Sequence, residues 1–376
     1  MKAKNQYEDK TMNLRLAKTA CDMNRKGGSS KINADLYDAM LFAMEQNNII
    51  KPLNIDGGPF KAFTVDRSGH LVTFASDGTV SMYKVSGNAK AENISSYENT
   101  SGSKVPVESA TFVTPTRIAY STKDRKSYMA DLNTQKRTPL PPVDDYLQSA
   151  SLSPDAQKCA VAYIAGMVQI IPSNGGTPLY EKIFNIGVTD VFYHDDNSIY
   201  VLFHDGSLSK WNPVSGDVKT VLAKTLPQHA FKMTAIRHKN ILAVCYSHGD
   251  IVFVDMTADA AVKTMAGGHS KLENMLYDQA SGILALSSAD KRISLINTND
   301  FDEKPLVIEE HSLGNRKVKC MAFNHKGVLF ALTDDNKLRQ WDTNPETYSS
   351  ALAAMNLSPL SDTEWNLIMG REFSER

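Results

Sequence analysis

Two short groups of histidine and aspartate are the residues of this chain with the clearest capacity for chemistry. The sequence reads His-Asp-Asp at positions 194–196 and His-Asp at positions 204–205. Imidazole and carboxylate side chains are common zinc ligands and common general bases. The apolar run at 199–203 separates the groups, and five extended residues at about 3.3 Å each place them roughly 15–20 Å apart. One ion cannot bridge that distance, so we interpret the groups as two solvated turns.

Aspartate also recurs at one position of a repeating pattern, at Asp77, Asp205, Asp290 and Asp334. In a tight turn a carboxylate accepts backbone N–H bonds, and this local task is our interpretation of the four residues. The alternative is a ring of catalytic acids. That arrangement is disfavoured because the position faces the loops of the neighbouring repeat rather than a common centre.

The remaining polar motifs do not match a catalytic site. His-Gly-Asp at 248–250 offers too few ligands for a closed metal site. The Gly-Gly pairs at 57–58 and 175–176 are not followed by Gly-Lys-Ser/Thr, so neither predicts a phosphate loop. The basic run at 316–319 is most simply a solvated rim, with a partner-binding patch as the alternative. The sequence therefore predicts no catalytic residue, no metal and no cofactor.

The elements that would position these residues repeat seven times, at intervals of about 40 to 47 residues. Each copy has an alternating apolar strand, a second apolar strand, a tight turn and a third strand. The copies start near Phe60, Val107, Leu147, Val188, Phe231, Glu273 and Arg316. This period predicts an all-β fold, a seven-bladed β-propeller of four-stranded antiparallel blades.

The last copy, at 316–343, is the clearest. Its first strand alternates apolar and polar residues, and the run at 328–332 is nearly continuous in apolar residues, as expected of a covered strand. Trp341 closes its third strand, as Trp211 does in the fourth copy. We expect both indoles to pack between blades.

The copies resemble WD40 repeats. The similarity is best at Gly-His 268–269, at SLSPDAQ 151–157, at the Asp-Gly pairs 77–78 and 205–206, and at Trp-Asp 341–342. Other copies have Tyr-Lys, Trp-Asn or Ile-Asn where the family has Trp-Asp. The resemblance covers roughly 53–343 and implies the propeller fold. It does not imply one function, because propellers serve many functions.

A segment of helical character precedes the repeats. Residues 5–25 and 30–46 place apolar residues at helical spacing, and Asn33 or Asp35 could cap the second helix. The two helices predict a hairpin packed on the propeller. Residues 49–53 then supply the outer strand of the last blade, which removes the exposed edge of the ring. The predicted domains are 1–48, 49–346 and 347–376.

Both flanks resemble segments of large bacterial multidomain signalling proteins. Residues 16–44 are similar to the helical segment before their WD propellers, which follow caspase-like or signal-transduction ATPase modules. The tail LSDTEWNLIMG, which ends at Gly370, resembles their closing C-terminal helix. Residues 361–364 have the form of a capping box, and Trp365 and Leu367 would pack back onto the propeller. The resemblance implies a recognition module of such a protein, or a stand-alone relative.

Composition limits the partners and the compartment. The net charge is −1, which does not indicate general attraction to nucleic acid or anionic membranes. No apolar run approaches the roughly 20 residues that span a bilayer, and the N-terminus lacks an apolar signal core. We expect a cytoplasmic monomer, with periplasmic exposure as the alternative if a membrane segment precedes this chain. Cys21, Cys159, Cys245 and Cys320 are expected to be buried without disulfides.

Two functions remain possible at this point. The favoured one is a non-enzymatic scaffold or sensor that binds a protein or peptide on the channel face of the propeller. The alternative is a ligand-binding or hydrolytic propeller with a site in the central channel, which would require converging carboxylates and histidines. Residues just ahead of the inner strands, or at their starts, are expected to contact the partner: Tyr146, Gln148, His229, Lys232, Asn274, Arg316 and Lys317.

Overall fold

The computed structural model describes residues 10–27, 31–86, 90–98, 105–224, 229–265, 270–361 and 363–364. Within them, seven antiparallel sheets of four strands each are arranged as the blades of a propeller. The first strands of successive blades contact one another in a closed ring, and the first strand of blade 7 contacts that of blade 1. The predicted seven-bladed propeller is therefore confirmed.

The strands of each blade are numbered along the chain and run from the central channel outward in blades 1 to 6. Blades 1 to 3 contain β2 (Phe60–Val65), β3 (Leu71–Ala75), β4 (Thr79–Ser86), β5 (Lys90–Glu98), β6 (Val107–Thr114), β7 (Arg117–Thr122), β8 (Ser127–Asp131), β9 (Lys136–Pro139), β10 (Leu147–Leu152), β11 (Lys158–Tyr163), β12 (Met167–Pro172) and β13 (Tyr180–Ile183). Blades 4 to 6 contain β14 (Val188–Asp195), β15 (Ser198–Phe203), β16 (Leu208–Trp211), β17 (Val218–Leu222), β18 (Ala230–Ile236), β19 (Ile241–Tyr246), β20 (Ile251–Asp255), β21 (Ala260–Met265), β22 (Leu272–Asp278), β23 (Ile283–Ser288), β24 (Arg292–Asn297) and β25 (Leu306–Ile308).

Blade 7 is built from both ends of the chain. Its first three strands from the channel outward are β26 (Val318–Phe323), β27 (Val328–Thr333) and β28 (Lys337–Asp342), and its outermost strand is β1 (Leu53–Asn54). In every blade we call the strand next to the channel the inner strand. Leu53 pairs with Leu338. This closure covers the edge of β28 that would otherwise present unpaired backbone groups.

The closing strand is shorter than the predicted strand at 49–53 and lies further along the chain. The backbone N–H groups of Ile49 and Ile50 donate to the Met44 carbonyl oxygen at the end of a helix, so this part of the chain stays with the helix. Pro52 has no N–H to give to a strand. Only Leu53 of the predicted segment pairs with blade 7.

We expect Leu53→Ala to lower the free energy of unfolding by about 2–3 kcal/mol, because Leu53 is only 4% exposed and its loss leaves a cavity at the closure. Hydrogen exchange should also become faster at the backbone amides of β28. The exposed neighbour Asn54 gives the matched control, since Asn54→Ala should leave stability nearly unchanged. Equal unfolding free energies of the two variants would show that Leu53 does not stabilise the closure of the ring.

The core lies mainly between blades. Every residue of β15 is buried, as expected of a strand covered on both faces. Trp211 packs with Val188 and Ala160, which belong to blades 4 and 3. Trp341 packs with Leu295 of blade 6. The predicted position of both indoles between blades is confirmed.

Within the described residues, three α-helices flank the propeller: α1 (Lys10–Lys26), α2 (Ala34–Gln46) and α3 (Pro345–Ala354). Asn33 caps α2, because its Oδ1 accepts the Leu36 N–H at 2.9 Å. The predicted C-terminal helix is present as α3, which begins at a Pro in its first turn after the cap residue Asn344. None of the described helices is long and apolar enough to cross a membrane.

The apolar faces of the helices are covered. Leu36, Met40 and Met44 of α2 lie in one buried cluster with Ile308 of β25 and Trp341 of β28. Burying such side chains stabilises the contact by about 1.5–3 kcal/mol for each large residue. The helices therefore dock on the outer side of blades 6 and 7.

The C-terminal segment is held by α1. Arg15 forms an ion pair of 2.7 Å with Glu364 and also donates to the Pro359 carbonyl oxygen. The predicted capping box is present, since the Glu364 carboxylate accepts the Ser361 backbone N–H at 2.8 Å and the Ser361 hydroxyl oxygen accepts the Glu364 N–H at 3.3 Å. Trp365 and Leu367 lie outside the described residues.

All four cysteines are free thiols. Cys21, Cys159 and Cys245 are buried as predicted, whereas Cys320 is only partly buried because it lines the channel. Cys159 and Cys245 lie on second strands of blades 3 and 5, and Cys320 lies on the first strand of blade 7. Burial raises the pKa of the Cys159 and Cys320 thiols to about 12. These thiols therefore stay protonated at neutral pH and pack as small apolar groups.

Candidate functional site

The inner strand of every blade contains a β-bulge at its second residue. In each case the first and third residues of the inner strand pair with consecutive residues of the second strand, and the residue between them has no pairing partner. In blade 1, Phe60 pairs with Ala75 and Ala62 pairs with Phe74, so Lys61 is skipped. The seven skipped residues are Lys61, Glu108, Gln148, Thr189, Phe231, Glu273 and Lys319. A bulge bends the strand and redirects a side chain. The seven bulges surround the end of the channel at which the inner strands begin, which we call the channel mouth.

Residues directly after the bulges link neighbouring blades. The Ser109 hydroxyl donates to the Leu147 carbonyl oxygen at 2.6 Å, which joins blade 2 to blade 3. The Asn274 amide donates to the Val318 carbonyl oxygen at 3.2 Å, which joins blade 6 to blade 7. These bonds satisfy backbone groups next to the bulges and hold the mouth in shape.

Asp190 occupies the same position in blade 4 and joins three blades. Its carboxylate accepts a short hydrogen bond from the Ser149 hydroxyl of blade 3. It also accepts the N–H groups of Val191 and, at 2.9 Å, Met233 of blade 5. Burial raises the pKa of Asp190. The carboxylate is thus committed to hydrogen bonds between strands, which disfavours a role as general base.

Two cavities lie along the channel, with volumes of about 460 and 430 Å³. The first is lined by inner strands of blades 2 to 5, and the second by inner strands of blades 1, 2, 5, 6 and 7. Thr111, Phe112 and Lys232 line both cavities. Together the cavities give the channel an opening that can accept side chains of a partner.

The chemistry of the channel changes along its length. Near the mouth the second cavity is lined by Lys61, Lys232, Asn274 and Lys319. Towards the ends of the inner strands it is lined by aromatic and aliphatic residues, namely Phe112, Leu276, Tyr277 and Phe323. The channel is therefore cationic at the mouth and largely apolar at the far end.

Three of the seven residues predicted to bind a partner line these cavities. Gln148 lines the first, Asn274 lines the second, and Lys232 lines both. Gln148 and Lys232 are exposed. The Asn274 amide is partly used by its hydrogen bonds to Ser287 and Val318.

The other four predicted residues lie on the rim around the mouth, outside the two cavities. The Tyr146 hydroxyl donates to the Lys123 carbonyl oxygen, and the Arg125 guanidinium lies 5.7 Å from the Tyr146 ring. The His229 ring contacts the His204 carbonyl oxygen at 3.1 Å. Arg316 and Lys317 are exposed just before β26.

The sequence predictions omitted Lys61, Asp190 and Lys319, which also line the channel. Lys61 and Lys319 occupy the same bulge position as Gln148. Aligning the seven copies on the first residue of each inner strand would have identified both lysines. No comparable signal in the sequence distinguishes Asp190 from a solvated aspartate.

The histidine and aspartate groups form local contacts, at the end of β14 for His194 and Asp195 and in the turn before β20 for His248 and Asp250. His194 Nε2 lies 3.6 Å from Asp195 Oδ2. His248 Nε2 lies 2.8 Å from Asp250 Oδ2. In the described part of the chain, no three histidine, cysteine or acidic side chains come together in a way that could hold a metal ion.

Two of the repeated aspartates accept backbone N–H bonds as predicted, and Asp290 accepts a side-chain hydroxyl instead. Asp77 and Asp205 accept the N–H groups of Thr79 and Ser207, at 2.9 and 3.0 Å. Asp290 accepts a short hydrogen bond from the hydroxyl of Ser288 in its turn. The prediction is wrong for the last copy, where Asp335 rather than Asp334 accepts the bond from Thr333 at 2.6 Å. The turn there positions the carboxylate one residue later.

A cluster of titratable side chains lies between α2 and blade 7, away from the channel. Glu45 accepts the Ser312 hydroxyl at 2.9 Å, and His311 Nε2 lies 3.9 Å from its carboxylate. Asp38 and Arg339 face the same region. Burial raises the pKa of Glu45 to about 7. Ionised Glu45 therefore opposes docking of α2 above that pH.

The stability of the protein should depend on the ionisation of Glu45. Its pKa is near 4.5 when unfolded and about 7 when folded, so the folded state holds the proton more tightly. The resulting stabilisation is present below about pH 4.5 and is lost as the pH rises through about 7. We expect Glu45→Gln to match the wild type near pH 4 and to exceed its unfolding free energy by about 3 kcal/mol near pH 8.

Chemical denaturation of both proteins at each pH would measure this difference. Ionisable groups that the two proteins share contribute nearly equally to both unfolding free energies, so their effects largely cancel in the difference. Asp35→Asn on the exposed first turn of α2 is the control, and it should show no such growth with pH. A pH-independent difference between Glu45→Gln and the wild type would contradict the raised pKa.

No protein-family model matches this chain, and no curated protein matches it with significant sequence similarity.

Proposed function

We propose that this protein is a non-enzymatic interaction scaffold or sensor that binds a protein or peptide on the channel face of its propeller. The observation that carries this proposal is the open mouth, where two cavities of about 460 and 430 Å³ meet exposed polar residues from several blades. Binding sites are typically concave, with a few polar groups that converge on the ligand. The rim residues His229, Arg316 and Lys317 extend this surface outward.

The chemistry of the channel supports binding rather than catalysis. Asp190 is the buried carboxylate nearest the mouth, and three hydrogen bonds already occupy it. A nucleophile needs a base within hydrogen-bond reach, and Ser149 donates to Asp190, whose remaining bonds hold strands together. We accordingly propose that the protein acts without a metal or other cofactor.

We further propose that the propeller is a degenerate WD40 domain of a bacterial signalling system. The WD40-like turns and the two flanking helical segments support this proposal. The chain would then be the recognition module of a larger machine or a stand-alone relative, cytoplasmic and monomeric by itself. The near-zero net charge of −1 argues against nucleic acid as its partner.

A selection from an unbiased library of displayed random peptides tests the proposed function. We expect peptides to be enriched on the full chain and to lose binding to the rim variant His229→Ala/Arg316→Ala/Lys317→Ala. The matched control is Arg67→Ala/His325→Ala/Lys326→Ala, which removes the same three residue types from turns at the opposite end of the propeller. Absence of enrichment, or equal loss in both variants, would contradict binding on the channel face.

A further inference from the structure

Three lysines from different blades line one cavity at the channel mouth. Lys61 belongs to blade 1, Lys232 to blade 5 and Lys319 to blade 7, and all three line the cavity of about 430 Å³. Lys61 and Lys319 are the bulged residues of their strands, and Lys232 directly follows a bulge. Their convergence comes from the ring of bulges, since the residues are far apart along the chain.

The charges of these lysines are not compensated by neighbouring ion pairs. The Lys61 ammonium donates to the Glu108 backbone carbonyl oxygen at 2.8 Å, and the Lys319 ammonium donates to the Asn336 side chain at 3.3 Å. Among the described residues, no carboxylate oxygen lies within 4.0 Å of any of the three ammonium groups. The positive charge at the mouth is therefore available to a ligand.

Some cations elsewhere on the same face are paired. Lys317 lies 3.9 Å from Glu273. Arg125 lies 3.0 Å from Asp144. The three channel lysines differ from these rim cations because they line a cavity, and a concave wall of one sign focuses the electric field on what enters it.

Asp190 and Asp278 line the described cavities, and neither cancels this charge. The Lys232 ammonium acts on Asp190, but Asp190 can balance at most one of the three lysines. Asp278 lies four residues beyond Asn274 on β22, about 13 Å from the mouth at 3.3 Å per residue. Its carboxylate accepts the hydroxyl and N–H of Ser281.

Glu108 and Glu273 occupy bulge positions at the mouth. Glu273 lies 3.9 Å from Lys317, and neither glutamate forms an ion pair with the three channel lysines.

The far end of the same cavity is suited to an apolar group. Phe112, Tyr277 and Phe323 line it, together with Leu276. A ligand that fills the whole cavity would present a negative group to the lysines and an apolar group to the aromatic rings. An isolated inorganic anion would satisfy only the mouth.

We propose that the channel mouth recognises an acidic segment of the protein partner, in which a carboxylate binds among Lys61, Lys232 and Lys319 and a nearby apolar side chain reaches Phe112, Tyr277 and Phe323. This inference rests on the proposed function and assigns the chemical class of the partner. Charge complementarity at the mouth steers the segment into place, and burial of its apolar side chain adds affinity.

The test measures binding of synthetic peptides to the full chain by calorimetry. The probe is a ten-residue peptide of glutamates with two phenylalanines, and its counterpart carries lysine in place of every glutamate. We expect the acidic peptide to bind and the basic peptide not to bind. Raising the ionic strength should weaken binding, because salt screens charges that remain open to solvent.

Variants then locate the site. Lys61→Gln/Lys232→Gln/Lys319→Gln should weaken binding of the acidic peptide by about tenfold or more. Lys84→Gln/Lys304→Gln/Lys326→Gln is the matched control, since it makes the same change in net charge at exposed lysines outside the channel and should leave the affinity nearly unchanged. Lys61→Arg/Lys232→Arg/Lys319→Arg keeps the charge and should retain binding, with melting curves confirming that each variant is folded.

Several results would overturn the proposal. Equal affinity of the acidic peptide for the two glutamine variants would exclude the channel lysines. Displacement of the peptide by inorganic phosphate at equal concentration would indicate a site for free anions rather than an acidic segment. If library selection yields rim-dependent peptides without acidic residues, the acidic class is wrong while the proposed function stands. If no peptide of any class binds, both proposals fail.

Discussion

Replacing Asp190 by alanine is expected to lower the free energy of unfolding by about 3–5 kcal/mol. Asp190 is 6% exposed, and its carboxylate accepts bonds from Ser149, Val191 and Met233 on three neighbouring inner strands. Alanine would leave the Ser149 hydroxyl and the Met233 N–H without this acceptor in a buried position, and the Val191 N–H would keep only a long contact of 3.5 Å with the Ser149 hydroxyl oxygen. Each unsatisfied donor costs about 1–3 kcal/mol. Chemical denaturation followed by tryptophan fluorescence measures the loss.

Two further substitutions make the Asp190 result interpretable. Asp190→Asn keeps one carbonyl acceptor but directs an amide N–H₂ at the donors, so we expect an intermediate loss. Asp196→Ala removes only a surface partner of Lys158, 2.8 Å away, and should cost about 0–1 kcal/mol. If Asp190→Ala loses no more unfolding free energy than Asp196→Ala, the Asp190 carboxylate does not hold the blades together.

The Asp190 variant also bears on binding. Ser149 and Met233, two of its partners, line the channel together with Lys232. Loss of the shared carboxylate should let the inner strands of blades 3 to 5 separate at the mouth. We therefore expect Asp190→Ala, under conditions where it remains folded, to bind the acidic peptide less tightly even though it removes a negative charge.

Trp341→Ala is expected to destabilise the protein by about 3–5 kcal/mol, because it leaves a large cavity in the core. Trp341 is 1% exposed and lies in the cluster that joins α2 to blades 6 and 7. The variant should melt at a lower temperature, and proteases should cleave the connection between α1 and α2 sooner. Peptide binding in the folded state should be unchanged, since Trp341 lies away from the two channel cavities.

Trp341→Phe is the graded control, since phenylalanine fills part of the cavity and should recover part of the stability. Leu179→Ala gives the surface reference, because Leu179 is half exposed on the outside of blade 3 and should matter little. An alanine variant that melts with the wild type would show that the helices and blade 7 do not depend on this contact.

The repeat in the sequence predicted most of the fold. Residues 328–332 are apolar and followed by a polar turn, and the structure has β27 and β28 on either side of that turn. Strand patterns and tight turns depend on interactions within a few residues, so each copy contains its own signal. Seven such copies then leave one architecture that closes on itself.

Features that depend on the junctions between copies were predicted less well. Residues 49–53 were predicted as the closing strand, whereas the structure uses Leu53–Asn54 because the end of α2 binds the backbone before Pro52. A C-terminal helix was predicted around the capping box at 361–364, whereas α3 at 345–354 follows directly on the last strand. Both positions depend on which neighbouring element supplies hydrogen-bond partners to the backbone N–H and C=O groups of these segments.

By itself, the amino-acid sequence determined the number of blades, the order of their strands and the use of both chain ends to close the ring, because these follow from local periodicity repeated along the chain. Only the tertiary structure decided which side chains meet in the channel. Lys61, Lys232 and Lys319 come together through bulges that shift each inner strand by one residue, and Asp190 becomes a buried link rather than a solvated acid. A shift of one residue reverses the face on which a side chain lies, and the packing of seven blades around one axis sets that shift.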